Sequence, residues 1–345
     1  AQGANDYHGY GGPLWVEEVP NSEKLELADL FIQAGVQTGL PYNEDFNGIQ
    51  QEGAGYYQLN ICNGRRQSTA RTFLKHSENR PNLTVLTGAL SQRILIEDGR
   101  AIGIEYQQST GKQTSIEQAY ASGEVILCGG VINSPQLLEL SGIGDRELLE
   151  SLGIKVASHL PGVGENLQDH LTINVQQGLH GVTTFFEETR PLAMIKNLFK
   201  YLFKRRGLLA HPAAQAGIFF RTSDQVKRPD AQVHFAPAAS EPDSKGNLKT
   251  KQGTTATVCH LRPESRGSVH IRSADPREYP VIRANYLDTE NDRMAIIAAV
   301  RRVREIFAAP ALGKYLGEEF KPGSQVQSDE EILAFVRAEA ESVYH

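Results

Sequence analysis

The fold of this chain is decided by the stretch Val125-Ile-Leu-Cys-Gly-Gly-Val-Ile-Asn-Ser-Pro-Gln-Leu-Leu-Glu-Leu-Ser-Gly-Ile-Gly144. Residues 125–127 form an unbroken apolar run, which is typical of a strand buried on both faces. Gly129 and Gly130 follow, and glycines here allow the backbone to turn sharply or to approach another group closely. The first part of the stretch therefore predicts a buried strand that ends in a tight corner.

A helix is predicted after that corner. Ser134 suits the N-cap position, and Pro135 suits the first helical turn, where its missing N–H costs nothing. Leucines give the helix an apolar face, and Ser141-Gly142 ends it. A helix N-terminus at the carboxyl end of a strand suits a dinucleotide or another phosphate-bearing ligand, but ordinary α/β crossovers have the same form. The residues alone are compatible with both interpretations.

Composition narrows the class of protein. The chain has 345 residues and a net charge of −6, so it is large enough for one large or two ordinary domains, and a nucleic-acid partner is not indicated. No apolar run has the length of a membrane span. Cys62, Cys128 and Cys259 are widely spaced and lack metal-ligand spacing. We therefore expect reduced thiols, a cytoplasmic compartment and no metal.

Three motifs carry a resemblance to a known family. Gly-x-x-x-Ser-Pro-Gln-Leu-Leu-x-x-Ser-Gly-Ile-Gly, starting at Gly130, resembles the second signature of the glucose–methanol–choline (GMC) oxidoreductases, which are FAD-dependent alcohol oxidisers. The glycine-rich run that begins at Tyr7 and the run Asn-Leu-Gln-Asp-His that ends at His170 are similar to other stretches of that family. The resemblance implies FAD as cofactor and a small-molecule alcohol as substrate.

The resemblance also implies an α/β fold of two interleaved domains. Residues 60–170 and 262–287 are expected to be the remainder of a Rossmann-like FAD-binding domain. Residues 1–59, 171–261 and 288–345 are expected to form a substrate domain with an antiparallel sheet flanked by helices. No Gly-x-Gly-x-x-Gly opens a helix after a strand, so we expect an internal portion of a longer protein. Alone, it is expected to be inactive and to bind FAD weakly or not at all.

Hydrophobic periodicity predicts the elements of these domains. A helix is expected after Ser22, which is its predicted cap residue, and an Asp98-Gly99 turn is expected to join two strands as a hairpin. Strands are predicted over 83–87, 93–96, 101–106, 171–176, 217–221, 231–236 and 254–261, and helices over 191–204, 291–307 and 329–340, the last opened by a capping box at Ser328.

The helix over 191–204 is amphipathic and basic. We expect it to bury Leu192, Ile195, Leu198, Phe199, Leu202 and Phe203, and to show its lysines to solvent. Such a helix can contact an anionic membrane surface, although a docked, solvated helix is the commoner arrangement. Peripheral membrane contact is therefore kept as a minor hypothesis.

Two clusters of polar residues invite a functional interpretation. Arg65, Arg66 and Arg71 suggest a phosphate site, but we favour pairing with carboxylates that fix a loop. Asp169 and His170 suggest a catalytic pair, but an architectural hydrogen-bond knot is the favoured interpretation.

The resemblance also implies the site residues. His345 matches the family's base, which takes the alcohol proton while a hydride passes to flavin N5, and Val343 and Tyr344 line the same side. Ser91, Cys128, Gly129 and Gly130 match positions that meet FAD. The family's second His or Asn and its glycine loop have no counterpart in this chain.

The sequence gives less information about the substrate than about the cofactor and the base. Gln215 matches a glutamate that faces the cation in choline-oxidising members, so its neutral amide favours an uncharged alcohol over choline. His234 is a candidate for the substrate pocket or a satisfied core histidine. A flavin-containing lyase acting on cyanohydrins and a non-catalytic homologue are the alternatives, and oxygen or a membrane quinone is the expected electron acceptor.

Overall fold

A computed structural model describes residues 5–111, 113–242 and 248–343 and divides into two compact units. The first unit takes the described residues of Ala1–Arg80, His170–Arg262 and Glu290–His345, and the second takes Pro81–Asp169 and Pro263–Thr289. Residues 60–80 thus lie in the first unit, whereas the sequence placed them in the FAD-binding domain. The mixed α/β fold with antiparallel sheets is confirmed.

The described helices and strands are mixed along the chain. The α-helices are α1 (Glu26–Gln37), α2 (Lys75–Ser77), α3 (Gly130–Leu140), α4 (Arg146–Ser151), α5 (Phe185–Glu188), α6 (Pro191–Lys204), α7 (Glu290–Ala308), α8 (Pro310–Gly313) and α9 (Asp329–Glu339). The strands are β1 (Gly53–Tyr56), β2 (Ile61–Cys62), β3 (Arg65–Arg66), β4 (Ala89–Glu97), β5 (Arg100–Thr110), β6 (Gln113–Tyr120), β7 (Ile143–Gly144), β8 (Ser158–His159), β9 (Glu165–Leu167), β10 (Leu171–Leu179), β11 (Ala216–Phe220), β12 (Ala231–Ala236), β13 (Ala239–Pro242), β14 (Leu248–Lys251), β15 (Gly253–His260), β16 (Gly267–His270), β17 (Val281–Arg283), β18 (Leu316–Lys321) and β19 (Glu341–Ser342).

The first unit is organised by a seven-stranded antiparallel sheet in the order β1-β11-β12-β15-β10-β18, with β19 also paired to β10. Helices α1 and α7 cover one face. The Phe31 ring stacks on Phe235 with centroids 4.1 Å apart and an interplanar angle of 11°, and Phe307 lies 6.4 Å from Phe31. Alternation along β12 buries Ala231, Val233 and Phe235, so the residues between them face the other side of the sheet.

The second unit contains smaller sheets. Strands β4, β5 and β6 form an antiparallel meander, and the Asp98-Gly99 turn between the first two has positive φ at both residues, as the hairpin prediction requires. Helix α3 packs against β4 and β16, and β16 lies between β9 and β17.

The strand predicted over residues 125–127 is wrong. These residues have no strand assignment, and Ile126 is 72% exposed. A strand needs a hydrogen-bonded neighbour, and no described strand pairs with this run. The strand predicted over 83–87 fails in the same way, because pairing begins only at Ala89.

Two predicted helix starts are also wrong. Helix α3 begins at Gly130, so Pro135 lies inside the helix instead of at its first turn, where Ser134 was expected as the cap. Gly130 has a φ of 78°, and this turn starts the helix earlier than the capping signal indicates. Ser22 lies in a short 3₁₀ turn, and Leu25 is the N-cap of α1.

Helix α6 has the predicted bounds but not the predicted burial. The apolar residues expected to be buried are exposed: Leu192, Ile195, Leu198, Phe199, Leu202 and Phe203. Periodicity identified the apolar face correctly, but no described element covers it. No helix in the described ranges is both long and apolar enough to cross a bilayer.

The contrast between core and surface phenylalanines gives a stability test. Phe235 is 0% exposed, so Phe235→Ala should cost about 3–5 kcal/mol of unfolding free energy, because it removes a stacked ring and leaves a cavity. Phe203 is 80% exposed, so the matched change Phe203→Ala should stay within about 0.5 kcal/mol. Urea denaturation measures both, and equal losses would contradict the described packing.

Candidate functional site

The second unit has a cleft of about 900 Å³ beside the start of α3. Three residues predicted to meet a cofactor, Ser91, Cys128 and Gly129, line it together. Gly130 is adjacent, and a Cβ placed on it would meet no atom within 4 Å. The sequence therefore identified one continuous surface, although the run beside it is not a strand.

The walls of this cleft differ in chemistry. Residues 125–127 supply an exposed apolar wall, and Ser91 and Ser134 supply hydroxyl groups. The backbone of Gly129 lies between these walls and carries no side chain. The cleft can therefore hold a ligand with a flat apolar part and sugar-like hydroxyl groups, which fits part of a dinucleotide such as FAD.

A buried carboxylate anchors α3 behind this cleft. Glu139 is 0% exposed; it accepts a hydrogen bond from the Ile271 N–H at 2.8 Å, and its other oxygen lies 2.7 Å from His270 Nδ1. The second ring nitrogen, Nε2, lies 2.9 Å from Glu165. Both ring nitrogens can donate to carboxylates only when the ring is protonated. Burial lowers the pKa of His270, but the two carboxylates raise it more, so the net shift is upward.

The first unit has a separate cleft of about 1000 Å³ on the polar side of its sheet. Gln232 and His234 enter it from β12, and Tyr57 lies against them. Gln232 Nε2 donates to the Tyr57 hydroxyl at 3.0 Å, and the Tyr57 and His234 rings are 5.5 Å apart. His234 thus lines this cleft, and its role in binding substrate stays a prediction.

The position of Tyr57 depends on a glycine. A Cβ on Gly217 would lie 2.0 Å from the Tyr57 hydroxyl oxygen, so only glycine leaves room for this ring. The Tyr57 hydroxyl in turn donates to the Val233 carbonyl at 3.1 Å. Burial raises the pKa of the Tyr57 phenol well above its usual value, so the group is a neutral donor at ordinary pH.

A polar row continues across the sheet from His234. Its cross-strand neighbour is Thr257, which is in turn opposite Asn174. The Thr257 hydroxyl donates to Asn174 Oδ1 at 2.6 Å. Hydroxyl and amide groups therefore extend the polar face of the sheet beyond His234.

Gln215 lies behind this cleft and is 4% exposed. Its Nε2 donates to the Glu23 carbonyl, and its Oε1 accepts from the Leu25 N–H, both at 3.3 Å. The side chain therefore clamps the segment before α1. Its predicted contact with substrate stays a prediction.

The remaining candidates are distributed as follows. Asp169 accepts a hydrogen bond from the Tyr286 hydroxyl, and His170 Nε2 lies 3.0 Å from the Leu261 carbonyl oxygen, contacts that suit an architectural role. The Val343 N–H donates to the His170 carbonyl at 3.3 Å. Tyr344 and His345 lie outside the described residues.

The favoured interpretation of Arg65, Arg66 and Arg71 is wrong. Within residues 5–111, 113–242 and 248–343, none of these guanidinium groups pairs with a carboxylate. All three line the cleft of the first unit.

Family comparison agrees with this architecture. The GMC oxidoreductase family has an N-terminal model that matches residues 5–172 and a C-terminal model that matches residues 263–345. The chain belongs to the GMC oxidoreductase family.

Relatives in this GMC family include choline dehydrogenases. The chain is 42% identical over 344 residues to the oxygen-dependent choline dehydrogenase of Pectobacterium atrosepticum, covering 99% of the chain and 60% of that relative. It is 44% identical over 344 residues to the mitochondrial choline dehydrogenase of Mus musculus, covering 99% of the chain and 56% of that relative. The chain thus spans no more than about 60% of the length of these relatives.

Solved structures share the fold. Pyridoxine 4-oxidase from Mesorbium loti superposes with a TM-score of 0.81 at 27% identity, covering 98% of this chain and 61% of that one. A formate oxidase gives a TM-score of 0.87 at 22% identity, covering 98% and 63%, and at this identity it supports the fold alone.

Some residues of this GMC chain's clefts escaped the sequence-based prediction. Tyr57 directly follows the short glycine-rich strand β1 and carries no chemical signature, and only the nearby glycines hinted at a close approach. Glu139 stands among leucines on an apolar helix, and a lone carboxylate there is the signal that could have identified a buried partner.

His270 predicts a pH-dependent local stability. Because its pKa is raised in the fold, its stabilising contribution is complete below the unfolded pKa of about 6.5 and is lost as pH rises through the higher folded value. Hydrogen exchange of peptides covering 267–271, corrected for intrinsic rates, should show protection that falls on going from mildly acidic to alkaline pH. His270→Gln should flatten this dependence, and peptides from β10 serve as the control. Protection that rises with pH would contradict the assignment.

Proposed function

We propose that the whole protein to which this sequence belongs oxidises an alcohol with FAD as the hydride acceptor. The observation that carries the proposal is the second unit's cleft, where Ser91, Cys128 and Gly129 converge in a chain of the GMC family. FAD, when bound, supplies the acceptor for the hydride that leaves the alcohol carbon. The hydroxyl of Ser91 and the bare backbone of Gly129 are suited to hold such a nucleotide.

We propose that His345 is the residue that accepts the proton of the alcohol. A histidine has a pKa near neutrality, so its neutral ring can accept the alcohol proton while the carbon loses a hydride. Val343 and Tyr344 are proposed to lie on the same side of the reacting centre.

The substrate is proposed to carry no quaternary ammonium group. The relatives are named choline dehydrogenases, but Gln215 offers no negative charge to a cation. His234 and Tyr57 line the cleft in which we propose that the alcohol binds.

Peripheral contact with a membrane stays a prediction, supported by α6. Its exposed apolar face, with Phe199 and Phe203 stacked at 6.1 Å, is flanked by Lys196 and Lys200. Apolar and cationic groups on one helix suit an anionic lipid surface.

Anaerobic reduction of bound flavin tests the reaction. If the proposal is right, an alcohol substrate should bleach the flavin absorbance of the FAD-loaded protein, and His345→Asn should slow bleaching by about 10²–10⁴-fold while FAD stays bound. A cyanohydrin lyase or a non-catalytic homologue would keep its flavin oxidised with every alcohol, and that result would refute the oxidation.

Thiol labelling tests the cofactor cleft independently of turnover. Cys128 is exposed on the cleft wall, whereas Cys259 is buried and burial raises its pKa to about 12. FAD should slow maleimide labelling of Cys128 severalfold, because a bound nucleotide covers the thiol. Partly exposed Cys62, in the other unit, is the internal control and should label at the same rate with and without FAD. An unchanged Cys128 rate with saturating FAD would refute this location.

A further inference from the structure

Four arginines line the cleft of the first unit without carboxylate partners. Arg65 and Arg66 come from β3, Arg71 from the helical turn after it, and Arg205 from the end of α6. Elsewhere in the chain guanidiniums commonly pair, as Arg304 does with Glu319 at 2.7 Å. Among the described residues, none of the four in the cleft does so.

A glycine turn brings these arginines together. Asn63 and Gly64 both have positive φ and form the turn between β2 and β3. A Cβ on Gly64 would lie 2.4 Å from the Arg205 carbonyl oxygen, so only glycine allows this turn to sit against the end of α6. Arg205 itself has a φ of 54°, a conformation that non-glycine residues rarely adopt. The backbone therefore holds the β2–β3 turn and Arg205 together at some conformational cost.

The charge of the cleft is one-sided. The chain as a whole has 41 acidic and 35 basic residues, yet no aspartate or glutamate lines this cleft in the described part of the chain. The nearby carboxylate of Glu23 is 4% exposed and is occupied by His211 Nε2 at 2.5 Å and by the Gly207 N–H. The negative charge of Glu23 is therefore already paired behind the cleft wall.

His211 supplies an independent sign of a ligand. Its side chain is 6% exposed and lines the cleft, and its other nitrogen, Nδ1, is buried with no hydrogen-bond partner among the described residues. A buried polar atom without a partner is unusual, because it forfeits its hydration. His211 therefore adds an unsatisfied polar group to a residue that lines the cleft.

We infer that this cleft binds a ligand carrying an anionic group, a carboxylate or a phosphate. The planar forks of Arg65, Arg66, Arg71 and Arg205 match the oxygens of such a group. Gln232 and His234 line the same cleft. This step rests on the proposed function. The alcohol that the enzyme oxidises itself carries the anionic group, whereas Gln215 alone suggests an uncharged alcohol.

Calorimetric titration with four small probes tests the binding. Glycerol 3-phosphate and glycerate carry the anion, glycerol is the neutral match, and choline is the cation. Both anions should bind at least about tenfold more tightly than glycerol, the scale of one charge-assisted hydrogen bond, and added salt should weaken them. Equal or tighter binding of glycerol or choline would overturn the inference.

A matched pair of variants locates the site. The double change Arg65→Gln and Arg66→Gln should abolish the preference for the anions. Arg337→Gln removes an exposed arginine of the same unit, away from the cleft, and should leave the preference unchanged. Anion binding that is unaffected by the double change, or equally weakened by both variants, would refute the site.

Turnover separates this inference from the proposed function. Bleaching of bound flavin by a neutral alcohol but by no anionic alcohol would overturn the substrate assignment and leave the oxidation intact. Anion binding without flavin bleaching by any alcohol would uphold the binding site and overturn the oxidation.

Discussion

The alternation of side chains along β12 determines which side chains of this strand face the core and which face the cleft of the first unit. Phe235 can stack on Phe31 in the core only if His234 points to the opposite face of the sheet. A shift of register by one residue would exchange the two faces and place an imidazole in the apolar core. The burial of one aromatic ring therefore determines the orientation of the cleft residues, and the polar row from His234 to Asn174 follows from the same register.

Glycines set how closely other groups approach this sheet. Gly55 and Gly217 are cross-strand partners, and each faces a group that a Cβ would strike: the Asn43 carbonyl oxygen at 1.9 Å for Gly55, and the Tyr57 hydroxyl at 2.0 Å for Gly217. This edge of the sheet is therefore thin enough for the chain to fold over it. Gly64 has the same function at the arginine cluster. Glycines thus allow the close approaches that shape the cleft.

The sequence predicts best those elements whose signals are local. The capping box at Ser328 and the Asp98-Gly99 turn form as expected, because each depends on residues within a few positions. The predicted strand at 125–127 and the predicted burial of the α6 face were wrong for the opposite reason. Strand pairing and burial depend on distant neighbours that periodicity does not identify. For the candidate site, family motifs indicated Ser91, Cys128 and Gly129, which line one cleft. Whether Arg65 pairs with a carboxylate depends instead on acidic residues anywhere in the fold. No local pattern could reveal it.

Gln215 has a structural role that is independent of any substrate. Its amide donates to the Glu23 carbonyl and accepts from the Leu25 N–H, and a carboxylate at this position could accept but could not donate. The glutamine therefore has a reason to be present whatever the substrate is. The charge of the cleft comes instead from its arginines, whose repulsion of a cation does not depend on residue 215. The positive charge of the cleft is thus a joint property of Arg65, Arg66, Arg71 and Arg205, and the turn at Gly64 packs against the Arg205 carbonyl within this cluster.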